Sequence, residues 1–433
     1  MSNNTFLNRQ ASALRPDPGR VLVRPFRPAT EPRDLNPTDK TRANHIVERV
    51  LALDEETASR QLAEVVANFE GRHRDLMRSC EERADEMEAT FQHHCLFTRL
   101  QHRLVGAYFL HEYSFEAAAL FNPSIVSHPD QSRAASGARR FVLSLRAVGE
   151  GHISSLTFRA GLITADGSVL LDPSARLAAM PTVTSRMTGA YGDTVEVTFP
   201  PDSDISERVI FPITEAQSNG IEDARFVMFE EDGQRTYYAT YTAYSGRSIR
   251  SELMETTDFL TFRMTPLQGT AVRNKGMGLF PRKINGQFAM IGRQDNESLY
   301  LIRSDDLLNW DGGLPILKPC YPWEFVQIGN CGAPIELDEG WLLLAHGVGA
   351  MRKYSIGAAL LDKADPSRVL ARSAEPLVRP DPSERDGYVP NVVYTCGAMR
   401  HRDLIILPYA VSDTFSTFST MPIDALLASL TRD

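Results

Sequence analysis

From about residue 114 onward the hydrophobic positions fall in short runs of β-branched and aromatic residues, punctuated by glycine, Asp-Gly and Asn-Gly. That pattern predicts hairpins in an all-β domain. Between 39 and 113 the spacing is helical instead: Ile46, Val50 and Leu53, then Leu62, Val65, Val66 and Phe69, set among many Glu, Arg and Ala. Two or three amphipathic helices are expected there. The first 38 residues carry Pro16, Pro18, Pro25, Pro28, Pro32 and Pro37, a density that blocks helices and predicts an extended arm over the surface. The expected organisation is an arm over 1–38, a helical appendage over 39–113 used for packing or homo-oligomerisation, and a β domain over 114–433.

The β runs repeat. A short strand with Pro or Ala near its start recurs as FNPSIV at 121, EDARFV at 222, LFPRKI at 279, GAPIEL at 332 and VPNVVY at 389. A second unit follows each after a turn: FVLSLR at 141, YYATYT at 237, FAMIGR at 288, WLLLAH at 341 and LIILPY at 404. After a longer first interval, with room for an insertion between about 150 and 210, the copies recur every 55 residues or so, roughly one propeller blade. Outer-strand pieces, METTDFLTF and IRSDDLLNW, also recur. The predicted fold is therefore a five-bladed β-propeller preceded by the arm and the helical segment.

A formal net charge of -9 argues against a nucleic-acid or anionic-membrane partner, which needs an excess of Lys and Arg. The start MSNNTFLNRQ lacks a basic and then apolar leader, and no long apolar run follows, so the expected location is the cytoplasm. Cys80, Cys95, Cys320, Cys331 and Cys396 are odd in number and show no CxxC pair, which points to reduced cysteines in place of a disulfide or zinc framework. His93-His94 is the one histidine pair, without HExxH or another metal spacing, so no metal is expected. Walker-type, GxGxxG and GxSxG motifs are likewise absent.

Chemistry is expected where equivalent strand ends converge. The sixth position of the second unit is Arg146, Thr242, Arg293, His346 and Tyr409 in the five copies, a polar ring at the ends of otherwise apolar strands. The first units add Asn122, Glu222, Asp223, Arg225 and Asn391. Glu222 and Asp223 are adjacent, so strand alternation lets only one of them face the site. A carboxyl group kept protonated there can serve as general acid toward a glycosidic oxygen. The nucleophile is then either phosphate held by Arg and His, or water activated by a second carboxylate.

The blocks NGIEDARF, NKGMGLFPRKINGQFAMIGR, IGNCGAPIELDEGWLLLAHGV, IGAALLDKADPSRVLARS, GYVPNVVY and the late SDT at 412, in that order, resemble glycoside hydrolase family 130, the β-mannoside phosphorylases and β-mannosidases. The resemblance runs over about 118–425, with the helical segment as a divergent extension. It implies a five-bladed propeller and inversion at the anomeric carbon. Asp223 of the ED-x-R block would be the general acid, its proton reaching the leaving oxygen through the mannosyl 3-hydroxyl. It further implies sugar contacts from Asn122, Arg146 and Asp413, to which Glu222, Arg225 and Tyr409 are added from their places in the repeat. Inorganic phosphate, as co-substrate with no other cofactor, would meet Arg273, Arg293 and His346, with Asn274 beside them.

Three departures weigh on that reading. Gln327 stands where the phosphorylases carry a lysine, Ser155 stands in the arginine position of a Ser-Arg pair, and Gly292-Arg293 replaces a His-Arg pair. The loss of one cation sets phosphorolysis only slightly ahead of inverting hydrolysis, for instance of β-1,2-mannosides. Two other readings compete: a non-catalytic glycan-binding propeller, and a furanosidase-like hydrolase, which the arginine ring disfavours.

Overall fold

The computed structural model describes residues 6–30, 40–91 and 97–432. They divide into two compact units, one built from Pro18–Phe115 with Arg176–Ala179, the other from the described residues before Pro18, Glu116–Ala175 and the chain from Met180 on.

In the first unit the described residues form four helices, Arg42–Leu51, Glu55–Phe69, Leu76–Phe91 and Arg99–Tyr108, more than the hydrophobic spacing predicted. Three start on side-chain caps, because Thr41, Asp54 and Thr98 accept the N–H of Asn44, Thr57 and Gln101 and so satisfy donors that the first turn leaves free. Val47, Val50, Leu104, Val105 and Phe109 form the core between them. Gly106 permits the closest approach: a Cβ there would lie 1.8 Å from the Cys80 carbonyl oxygen. A two-stranded sheet, Val21–Pro25 with Leu110–Ser114, completes this unit.

The proline-rich start, expected to be extended, contains two strands among its described residues. Asn8–Leu14 is a strand paired with Phe415–Pro422, and among the described residues Pro16, Pro18, Pro25 and Pro28 fall between strands or at a strand's last residue, where no ladder hydrogen bond is lost. Pro32, Pro37, His93, His94 and Cys95 lie outside the described residues.

The second unit holds sheets of eleven, four, six and five strands. This corrects the expectation of an all-β, five-bladed propeller: none of the sheets closes into a ring or barrel, and the helices of 42–108 make the chain a mixed α/β protein. The five repeat copies do not become five equal blades. The copies at 121/141 and 222/237 share the eleven-stranded sheet, joined by a parallel pairing of Gly220 with Ser154. The stretch expected to be an insertion adds the hairpin Thr182–Gly189/Gly192–Thr198 to the far edge of that sheet. Its core is aromatic, with Phe158, Phe226, Phe259 and Phe262 in mutual edge and stacked contact. Among the described residues no helix is long and apolar enough to cross a membrane.

Candidate functional site

Two strands of the eleven-stranded sheet, Ala119–Ser127 and Gly220–Glu231, break their pairing at the same place in the repeat, between Phe121 and Ser124 and between Glu222 and Arg225. Each bulge turns on a left-handed residue, Asn122 (φ 50°) and Asp223 (φ 55°). Asn and Asp are the non-glycine residues that accept this conformation most readily, and a bulge re-aims the side chain that follows it. Here the two re-aimed side chains meet: Asn122 Nδ2 donates to Asp223 Oδ1 at 2.6 Å.

Of the two adjacent carboxylates only Asp223 lines the neighbouring cavity, yet the bulge leaves Glu222 within reach of the same guanidinium. With alternation broken, both reach Arg146, whose Nη2 donates to Glu222 Oε1 at 2.7 Å and whose Nη1 lies 3.3 Å from Asp223 Oδ1. Lys275 Nζ adds a 3.2 Å contact to Glu222 Oε2. Arg225 Nη1 donates to the Asp223 carbonyl oxygen at 2.8 Å and its Nη2 to the Tyr394 hydroxyl at 2.8 Å.

Asn122, Arg146, Asp223, Arg225, Lys275 and Tyr394 border a cavity of about 200 Å³. Its cations are Arg146, Arg225, Lys275, Arg293 and Arg352, and its carboxylates are Asp223 and Asp413. Even with Glu222 counted among the acids, positive charge is in excess. Burial pushes the Asp223 carboxyl upward, but the charges of Arg146, Lys275 and Arg225, with the Asn122 hydrogen bond, more than reverse this and hold it below the ordinary aspartate range. Asp413 goes the other way, raised to about 7 chiefly by burial and further by Asp223, against the pull of Arg146, Arg352 and Lys275. The cavity's two carboxylates are therefore pushed apart, Asp223 toward the ionised form and Asp413 toward partial protonation near neutral pH.

His346 sits against Tyr354 and Tyr394, with ring centroids 5.7 Å and 4.7 Å away. Burial, then Arg293 and Arg225, push it well below the ordinary histidine range, so the ring is neutral. Arg225 Nε and Arg293 Nε and Nη1 are buried and find no acceptor among the described residues. Buried guanidinium donors left unpaired are costly, and a negatively charged acceptor is the kind of group that relieves them. No group of His, Cys, Asp and Glu among the described residues is arranged to hold a metal ion.

A family model described as beta-1,4-mannooligosaccharide phosphorylase matches residues 202–432, more than half of the chain. The chain belongs to glycoside hydrolase family 130. This is a family of enzymes that act on β-mannosidic bonds. A 1,2-beta-oligomannan phosphorylase of Thermoanaerobacter sp. is 38% identical over 46% of this chain and 68% of that protein. A beta-1,2-mannobiose phosphorylase of Listeria innocua is 33% identical over 51% of this chain and 63% of that one. The chain thus spans about two thirds of the length of these curated relatives. A solved structure of beta-1,2-mannobiose phosphorylase from Listeria innocua shares the fold, with a TM-score of 0.51 and 24% identity over 72% of this chain and 92% of that one.

Within this family 130 chain, the cavity gathers Asn122, Arg146, Asp223, Arg225, Arg293, His346 and Asp413 from among the residues singled out in the sequence. Glu222 stands directly behind, held by Arg146 and Lys275. Tyr409 does not join them: it is 4% exposed and packs in the apolar core of the five- and six-stranded sheets. Thr242, on the same register, is also buried away from the cavity. Arg273 is exposed and off the cavity wall, and Asn274 supports from behind, its Nδ2 donating to the carbonyls of Arg293 and Gln294 at 3.3 and 3.2 Å. Asn391 accepts the Tyr354 N–H at 3.1 Å through its carbonyl. Gln327 lines the cavity, while Ser155 is fully buried.

Lys275, Asn330, Arg352, Tyr354 and Tyr394 were missed, although all line the cavity. Lys275 lies in the NKGMG block and Tyr394 ends the VPNVVY unit, so the repeat held a signal for both. Arg352 follows left-handed Met351 in a hairpin turn, where strand register says nothing.

Gly329 explains how His346 and Arg293 can share one wall: a Cβ on it would lie 2.2 Å from the His346 ring and 3.1 Å from Arg293 Nη1. Gly329→Ala is expected to displace both side chains at a cost of about 1–3 kcal/mol, the usual range for overpacking. A lowered melting temperature together with reduced turnover checks this; wild-type values for both contradict it.

Proposed function

We propose that the chain is an inverting β-mannoside phosphorylase, with inorganic phosphate as nucleophile and Asp223 as the source of the proton for the leaving oxygen. The observation that carries this reading is the pair of buried guanidiniums, Arg225 and Arg293, with unpaired N–H donors beside a cavity rich in cations. Phosphate offers the several acceptor oxygens and negative charge that such donors require. Neutral His346 supplies a further polar contact without demanding a counter-ion of its own. Asn122 and Arg146 orient the Asp223 carboxyl, Glu222 holds Arg146 from behind, and Asp413 completes the polar wall that meets the sugar hydroxyls. Arg273 is left out of the phosphate site, and Lys275 and Arg352 provide the cationic surroundings in its place.

The two relatives named above act on β-1,2-linked mannose by their names, so β-1,2-mannobiose is the substrate to try first, with β-1,4-mannobiose beside it. Hydrolysis is the second reading, favoured by Gln327, an uncharged side chain on the cavity wall where a lysine would strengthen the hold on phosphate. The deciding measurement incubates the protein with each mannobiose, with and without phosphate, and follows mannose 1-phosphate and free mannose separately. Phosphate-dependent mannose 1-phosphate is expected. Equal release of mannose in both conditions would make hydrolysis the activity, and no product from either disaccharide would overturn the enzymatic reading.

A further inference from the structure

We propose that the ring pair His152–Tyr388 is the platform for the sugar on the leaving-group side of the scissile bond, and so sets acceptor preference. This rests on the reading of the cavity as a β-mannoside-cleaving site. The two rings come from loops 236 residues apart and are tied by a 2.5 Å hydrogen bond between His152 Nδ1 and the Tyr388 hydroxyl, with ring centroids 5.8 Å apart.

Their place is fixed by the cavity's carboxylate side. The Tyr388 ring lies 6.4 Å from that of Phe121, over which the Arg146 guanidinium sits at 5.0 Å. Tyr388 N–H donates to Thr414 Oγ1 at 2.8 Å and Val389 N–H to the Ser412 carbonyl at 3.0 Å, which brackets Asp413 between two anchors. Val389 and Val392 continue from Tyr388 into the cavity wall.

The pair has no role in a core, since Tyr388 is 41% exposed and His152 is exposed as well. Fixing two rings at the surface costs side-chain entropy, and His152 also holds a left-handed backbone (φ 59°) that a β-carbon disfavours. A structure that retains both costs has a use for the rings' exposed faces. A pyranose matches them: its C–H face covers an aromatic ring, and its hydroxyls reach the polar edges of Tyr and His. The side follows from inversion, in which nucleophile and leaving group stand on opposite faces of the reacting carbon. Arg293 and His346 take the anion, so the departing sugar lies toward Asp223, Asn122 and Phe121, where Tyr388 stands.

The test titrates β-1,2-mannobiose, β-1,4-mannobiose and mannose 1-phosphate calorimetrically into Asp223→Asn protein, with and without Tyr388→Ala, His152→Ala or Tyr388→Phe. Either alanine variant is expected to weaken the disaccharide about tenfold, the scale of one lost aromatic contact, with mannose 1-phosphate affinity unchanged. Tyr388→Phe keeps the ring and loses only the tie to His152, so a smaller loss, about threefold, is expected. Cooperative melting at the parent temperature verifies the fold. Equal disaccharide affinity in all four proteins overturns the platform alone. A parent that binds neither β-1,2- nor β-1,4-mannobiose overturns the β-mannoside reading and the platform with it.

Discussion

Asp223→Asn is expected to lower kcat on a mannobiose by about 10²–10⁴-fold, the usual contribution of a positioned acid, while the protein still melts cooperatively. The fold should survive because asparagine tolerates the left-handed backbone at this bulge as aspartate does, and its amide oxygen still accepts from Asn122 Nδ2. Arg146 keeps its 2.7 Å contact to Glu222 and is not stranded. The defect should shrink on an aryl β-mannoside, whose leaving group departs without a proton. A variant retaining more than a tenth of wild-type kcat on the disaccharide would remove Asp223 from the acid role.

The field around Asp223 adds a pH test to this. Among the protein's own groups the carboxyl is held ionised by Arg146, Lys275 and Arg225, whereas an acid must carry its proton when the bond breaks. An anion bound by Arg225 and Arg293 offsets those charges, and a weaker positive field raises the affinity of Asp223 for a proton. Phosphate binding and protonation of the acid are then linked, and each favours the other. With rising pH, activity is lost as the acid deprotonates. That alkaline limb of kcat/KM for the mannoside is expected to move to higher pH at saturating phosphate. A limb at the same pH for limiting and saturating phosphate would show that the two sites do not communicate. Asp413, raised to about 7, titrates in the same range, so the comparison is repeated in Asp413→Asn to separate its contribution.

Much of the site could be read from strand register, because residues at one level of the repeated units do converge: Arg146, Arg293 and His346 come from the same position of three copies and line one cavity. Register failed where side-chain direction is set by something other than alternation. Tyr409 shares the position but points into an apolar core that its own strand helps to build. Alternation left one of Glu222 and Asp223 off the cavity, and only Asp223 lines it, but a regular strand gave no sign that the bulge at Asp223 lets both reach Arg146. A hint was present, since Asn122 and Asp223 occupy matching places in their units and are residue types that accept positive φ. The architecture was lost for another reason. Repeat spacing counts strand units, but whether neighbouring units form separate sheets is decided by contacts such as the single parallel pairing of Gly220 with Ser154, which no local pattern encodes.

Arg293→Ala is expected to raise the KM for phosphate by about 30-fold to more than 10³-fold, corresponding to the roughly 2–5 kcal/mol lost when one partner of a buried charge pair is truncated. The magnitude is set by burial: Arg293 is 8% exposed, so water cannot readily take over the contacts it would make to the anion. Arg225 and Lys275 cannot take over all of its contacts, because Arg225 already holds the Asp223 carbonyl and Tyr394, and Lys275 holds Glu222. Affinity for the mannobiose itself should change little, since nucleophile and leaving sugar occupy opposite faces of the reacting carbon. Arg293→Lys, which restores charge without the planar fork, should recover part of the loss. This split distinguishes the two chemistries: a rise confined to the phosphate KM identifies Arg293 as a nucleophile ligand. A variant unchanged in phosphate dependence but slowed in mannose release would place water at that position, and the second reading would then hold.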